Sequence, residues 1–335
     1  MLNMNDKLTP KNVILGLLVC FLPLLMYGID AISLLLSRYD IYLDLPSGDY
    51  MLRIVVRAYL YMLLAIGLNI VCGFTGQLDL GYVGFYLIGG YTAGLLMARL
   101  GVTYWIALPL AVINGALWGL LRGAPTLRLT GDYFAIVTFG FAELLFRIVK
   151  NEEWLIGGPN GMVRDIPPPA VFGVVFNQNW HNYYHIILLL MLVVFITYRL
   201  QHSRVGRAWV AIREDEQAAE SMGINVSRYK ALAFTVSAAI GALGGGFIAQ
   251  FQVNISAPFF EFWESIFILC MVVLGGMGSI RGAMIGAAIL GSLGEILRPG
   301  FIIPYQFGNA RYLIFGIILI LLMRFRPGGL SLRKA

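Results

Sequence analysis

Charge is scarce in this sequence. Only 13% of its 335 residues are Asp, Glu, Lys or Arg, 59% are hydrophobic, and the mean hydropathy is +0.78. A soluble domain carries about a quarter charged residues, so that class is excluded. Cysteine is rarer still. Cys20, Cys72 and Cys270 all fall in apolar segments, which suggests neither a disulfide framework nor a Cys/His metal site; they read as lipid-facing or packing residues. The three histidines, His181, His185 and His202, lie near loops or span ends. His181 and His185 share helical i, i+4 spacing, yet no third ligand accompanies them, so interfacial packing is favoured over a membrane-embedded enzyme. No G-x-x-x-x-G-K-[ST] occurs, so the chain lacks a Walker A loop to hold nucleotide phosphates. Low-complexity segments are missing, and no non-membrane piece is long enough to fold as a globular enzyme.

Apolar runs are what the chain has in abundance. Several reach the roughly 20 residues needed to cross the hydrocarbon core as helix, and they do not alternate as the strands of an outer-membrane barrel would. The expected fold class is all-α: a polytopic integral membrane helical bundle forming a single domain over residues 1–335. About ten transmembrane spans are expected, near 13–29, 51–72, 79–98, 102–121, 132–149, 183–199, 231–251, 262–280, 283–297 and 311–323. The fifth and ninth are the weakest, being short or carrying ionisable residues. The first holds Pro23 and no small-residue cleavage site follows it, so it reads as a retained span and not a signal peptide.

The formal net charge of +6 is read through the positive-inside rule and not as a nucleic-acid signal. Basic residues are densest around Arg199, Arg204, Arg207, Arg213, Arg228 and Lys230. This places the loop 200–230 and both termini in the cytoplasm. The segment 151–182, with GGPNG at 157–161 and three prolines, Pro167, Pro168 and Pro169, is too polar and broken to enter lipid. It is expected to be a structured periplasmic or extracellular cap.

Residues 76–91, GQLDLGYVGFYLIGGY, carry five glycines and an aspartate in an otherwise apolar run. Small residues let helices approach closely in lipid. Gly76, Gly81, Gly84, Gly89 and Gly90, with Tyr82 and Phe85, are therefore candidates for either a translocation pathway or helix packing, as are Tyr86 and Tyr91. Asp79 has two readings, a functional intramembrane carboxylate or a cap on a helix amino terminus. A second glycine-rich region runs over 273–295. Glu143 and Arg147 have the spacing of a helical ion pair.

The loop contains REDEQAAESMGIN. Glu214 or Asp215 can start a short helix, Ala218 and Ala219 favour it, and Gly223 can end it in a left-handed cap. Docking to a partner and a solvated connector both fit that composition. The spacing of Ala218, Ala219 and Gly223 resembles the Glu-Ala-Ala, three residues, then Gly pattern of the coupling loop in ABC importer permeases. Gln217 stands where the glutamate is usual, with Glu216 one place before it.

Together with GLNIVCGFTGQLDLGYVGFYLIGGYTAG at 67–94, GGPNG, VLGGMGSIRGAMIGAAIL at 273–290 and RPGGL at 326–330, this loop resembles the branched-chain amino-acid permeases of the LivM type. The similarity runs from about residue 50 to the end. It implies an ABC importer permease fold and uptake of leucine, isoleucine and valine across a bacterial inner membrane. The implied partners are a LivH-like permease, two ATP-binding subunits and a periplasmic amino-acid-binding protein. ATP and Mg would be held by the partner subunits and no cofactor by this chain. Arg213, Glu214, Asp215, Glu216, Ala218, Ala219 and Gly223 would couple it to the ATPase. Urea or short amides as cargo stay open, because no specificity pocket is readable. An ion-coupled secondary transporter would need paired intramembrane carboxylates, whereas those found here sit near helix ends.

Overall fold

The computed structural model describes residues 47–126, 131–153, 162–171 and 178–296, with 22–24, 26–28, 129, 174–176, 316, 317, 320 and 324 besides. Most of the first and tenth expected spans, the GGPNG and RPGGL motifs, both termini and Cys20 lie outside them.

The backbone is built from α1 (Gly48–Asn69), continued by a π turn (Ile70–Phe74), then α2 (Val83–Leu100), α3 (Tyr104–Thr126) and α4 (Asp132–Asn151). Three two-residue strands follow, β1 (Met162–Val163), β2 (Ala170–Val171) and β3 (Val174–Val175). Next come α5 (Asn179–Gln201), the short pair α6 (Arg204–Glu214) and α7 (Glu216–Ser221), and the long α8 (Val226–Gln252). β4 (Ile255–Ser256), a 3-10 turn (Ala257–Phe260), α9 (Phe262–Gly275) and α10 (Ile280–Ile296) complete it.

Among the described residues, six helices are long and apolar enough to cross a membrane: Gly48–Phe74, Val83–Leu100, Tyr104–Gly123, Asn179–Gln201, Val226–Gln252 and Ala257–Gly275. The expectation of about ten spans is therefore not met among the described residues. Two of the shortfall lie at the ends already set aside. The other two are α4 and α10, the pair whose sequence signal is weakest. α4 is helical throughout but carries Asp132, Glu143, Arg147 and Lys150, and the described part of α10, Ile280–Ile296, is 17 residues, about 25 Å of helix.

α8 is the centre of the bundle, packed most extensively against α3 and α2 and also touching α1. Its crossing with α2 is made by backbone. A Cβ on Gly89 would meet the Ala242 carbonyl, and one on Gly245 would meet the Tyr86 carbonyl and the Gly90 amide. The second glycine-rich region closes the α9–α10 hairpin in the same way, Gly275 and Gly282 facing each other's backbone and Gly286 the Met271 carbonyl. Without a hydrophobic drive between helices in lipid, such close approach is the main source of attraction.

At one end of the bundle the segment between α4 and α5 is tied down. β1 pairs antiparallel with β4, Met162 opposite Ser256, the Ile166 amide donates to the Val253 carbonyl (3.0 Å), and the Trp105 indole donates to the Ala170 carbonyl (3.0 Å). α6 and α7 lie at the other end, where α1 finishes and α9 turns into α10.

Candidate functional site: a capped helix pair on the glycine turns

The short helix has the boundaries its sequence suggests. Asp215 caps α7, its Oδ1 accepting the Ala218 amide at 3.0 Å. Gly223, at φ +85°, turns the chain away, and the Ile224 amide donates back to the Ala219 carbonyl (3.1 Å). Only one of the two alanines faces outward. Ala219 is buried against Ile212 and Val226, while Ala218 is exposed beside Gln217, Glu220 and Met222, the last 84% exposed. Glu214 and Asp215 are exposed as well.

Charges fix the pair to the bundle. Lys230, near the start of α8 and almost wholly buried, donates from Nζ to Glu216 Oε2 at 2.6 Å. Glu216 thus has a definite place although Gln217 occupies the position where glutamate was expected. Trp209 of α6 stacks on Phe74 in the π turn, ring centroids 6.3 Å apart, and its indole donates to the Tyr229 carbonyl (2.8 Å). Arg213 Nη1 donates to the Gly73 carbonyl at 2.6 Å. A Cβ on Gly76 would lie 2.9 Å from Arg213 Cγ, so the structure brings together one residue from the expected coupling set and one from the expected pathway set.

Asp79 is fully buried, just ahead of α2. Its Oδ1 accepts the Gly81 amide (2.9 Å), which resembles capping, but α2 begins only at Val83 and the principal partner is Arg122. That guanidinium donates through Nη1 to Oδ1 (2.9 Å) and through Nη2 to Oδ2. The capping reading of Asp79 is corrected accordingly: the carboxylate is half of a bidentate buried ion pair. Arg122 is 2% exposed in the last turns of α3. It lies over the Phe85 ring at 4.4 Å, with Phe234 and Phe141 beyond. Pairing, hydrogen bonding and ring faces offset the desolvation of both ions, which alone would be several kcal/mol each, about.

The remaining candidates pack helices together. Gly81 faces the Thr138 carbonyl, Gly84 faces Ala142, and Gly90 faces the Phe260 ring. Tyr82 is buried against Gly67 and Gly241, and Tyr86 and Tyr91 lean on Phe260. Cys72 and Cys270 are buried. Glu143 and Arg147 form the expected i, i+4 pair at 2.8 Å. His185 lies inside α5, buried against Tyr104 and Phe247, further from a loop than the sequence suggests. His181 stacks between Trp180 and Phe176.

Sequence reasoning missed Arg122, Lys230 and Trp209 as partners of the site. One signal for the first was available: a carboxylate near membrane depth demands a cation, and Arg122 is a basic residue near the end of an apolar span.

The sequence pattern of the family described as branched-chain amino acid transport system / permease component matches residues 50–323. The chain is 39% identical over 300 residues to the high-affinity branched-chain amino acid transport system permease protein LivM of Salmonella typhimurium, covering 83% of this chain and 69% of the relative. The LivM protein of Escherichia coli K12 is 38% identical with the same coverage. The LivH permease protein of Salmonella typhimurium is 30% identical over 269 residues, 72% of this chain and 82% of that one. No solved structure matches.

Proposed function

Because the chain belongs to the branched-chain amino-acid transport permease family, we propose that it is a permease subunit of an ATP-driven importer that carries leucine, isoleucine and valine across the bacterial inner membrane. It is a multi-pass membrane protein and a transport component, not an enzyme. In this reading ATP and Mg are bound by two ATP-binding subunits, a LivH-like permease completes the pathway, and a periplasmic binding protein delivers the amino acid. Both termini and the α6–α7 pair face the cytoplasm, and residues 151–182 face the periplasm.

The observation that carries the reading is the capped α7, which presents Ala218 and Met222 outward while Glu216 is held by Lys230 of the central helix. A neighbour pressing on that face moves α8 through a charge contact that is almost dry on the lysine side. α8 in turn meets α2 backbone to backbone, so displacement passes on with no side chain between them to absorb it. An amino acid travels as a zwitterion, so the pathway needs no strong charged site, and selection can rest with the binding protein.

The test is purification from the native membrane in mild detergent, followed by ATPase assays with the binding protein. Recovery of a second permease and ATP-binding subunits, with hydrolysis stimulated by leucine, is the expected result. Stimulation by urea and not by leucine overturns the cargo. Solute transport in liposomes by this chain alone, without ATP, overturns the importer.

A further inference from the structure

Arg213 stands at a meeting of three elements. It lies in the last turn of α6. Its Nη1 donates to the Gly73 carbonyl in the π turn that ends α1, one of the carbonyls a helix terminus leaves without an internal partner. The same Nη1 would lie 2.7 Å from a Cβ on Gly278, in the turn between α9 and α10, and the stem passes 2.9 Å from where a Cβ on Gly76 would be. Gly76 and Gly278 both have positive φ, +73° and +86°. The side chain, exposed along part of its length, therefore passes between two turn glycines, Gly76 and Gly278, where an added side chain would collide with it. The Gly278 turn is also joined directly to the end of α1: the Gly278 amide donates to Asn69 Oδ1 at 2.9 Å, and a Cβ on Gly73 would collide with both.

The ends of α1 and of the α9–α10 hairpin are thus one unit, and Arg213 is a side chain from the α6–α7 pair that reaches it. The Glu216–Lys230 contact reaches α8 instead. We propose that Arg213 is a positioning residue for transport, a strap that carries movement of the α6–α7 pair to α1 and to α9–α10 in parallel with the Glu216–Lys230 link to α8. This rests on the importer reading above. The Gly73 carbonyl lies in the π turn, and π turns recur where a helix carries function.

The test uses the full complex in proteoliposomes, with leucine uptake and phosphate release measured on the same sample. Arg213→Ala is expected to lower the number of leucine molecules moved per ATP by about fivefold or more. Arg213→Lys, which keeps one donor on a shorter head, is expected to recover part of that ratio. Gly278→Ala would set a methyl group against Nη1 but would also strain its own turn at φ +86°, so Arg213→Lys carries the test if Arg213→Ala does not assemble. If uptake and hydrolysis fall together and the ratio stays at the wild-type value, Arg213 is merely structural and the proposal is overturned. A wild-type complex that takes up no leucine overturns the importer reading, and the strap with it. An active wild type with unchanged ratios in the variants overturns the strap alone.

Discussion

Asp79 and Arg122 are a case where removing one group costs more than removing two. The side chains are 0% and 1% exposed, so Asp79→Ala leaves a guanidinium buried with ring faces but no counter-ion. Breaking a buried pair in this way destabilises by about 3–5 kcal/mol, whereas replacing both ions by apolar residues of similar volume is often neutral. Thermal unfolding in detergent should show a large loss for Asp79→Ala and recovery of most of it in Asp79→Leu/Arg122→Met. Equal losses in the single and double variants would mean that the pair is not what holds residues 75–82 against α3. The carboxylate was conspicuous in the sequence because it sat in an apolar run. Its partner was not, since 43 positions separate the two and only the α2–α3 packing brings them together.

Among the elements, α7 was the most legible and for a local reason: its cap, its alanines and its terminating glycine act within one or two turns, where sequence and conformation are directly linked. Which alanine faces the bundle was not legible, because that depends on Ile212 and Val226 from neighbouring helices. Six expected spans are long, uniformly apolar helices among the described residues, while α4 and α10, where hydropathy or length is marginal, leave the count of about ten unconfirmed. The terminating glycine allows a clean experiment. A Cβ at Gly223 would meet nothing within 4 Å, yet its φ is +85°, so a substitution there acts through backbone conformation alone. Asn tolerates that region and a β-branched residue does not. Gly223→Val should reduce leucine moved per ATP while circular dichroism stays unchanged, and Gly223→Asn should retain most of the ratio. Loss of function in both would point to a steric role that the open surroundings do not suggest.

At the scale of the whole molecule, the α2–α8 crossing sets how close the two halves of the bundle can come. Gly245→Val would force a side chain into the Tyr86 carbonyl and the Gly90 amide, so the helices must separate along their length. Yield of folded, detergent-stable protein should collapse for that variant and stay near wild type for Gly140→Val, a helical glycine on α4 with open space around it. Comparable yields for the two would mean that the crossing is not a close contact in the membrane. The same crossing also limits how this chain can diverge. Because Gly89 and Gly245 meet bare backbone on the opposite helix, a single added carbon at either is opposed at once, and no neighbouring rotamer can make room. New sequence at this seam has to arrive on both helices together, so descendants of this chain should explore their lipid-facing surfaces freely long before they alter the line where α2 and α8 touch.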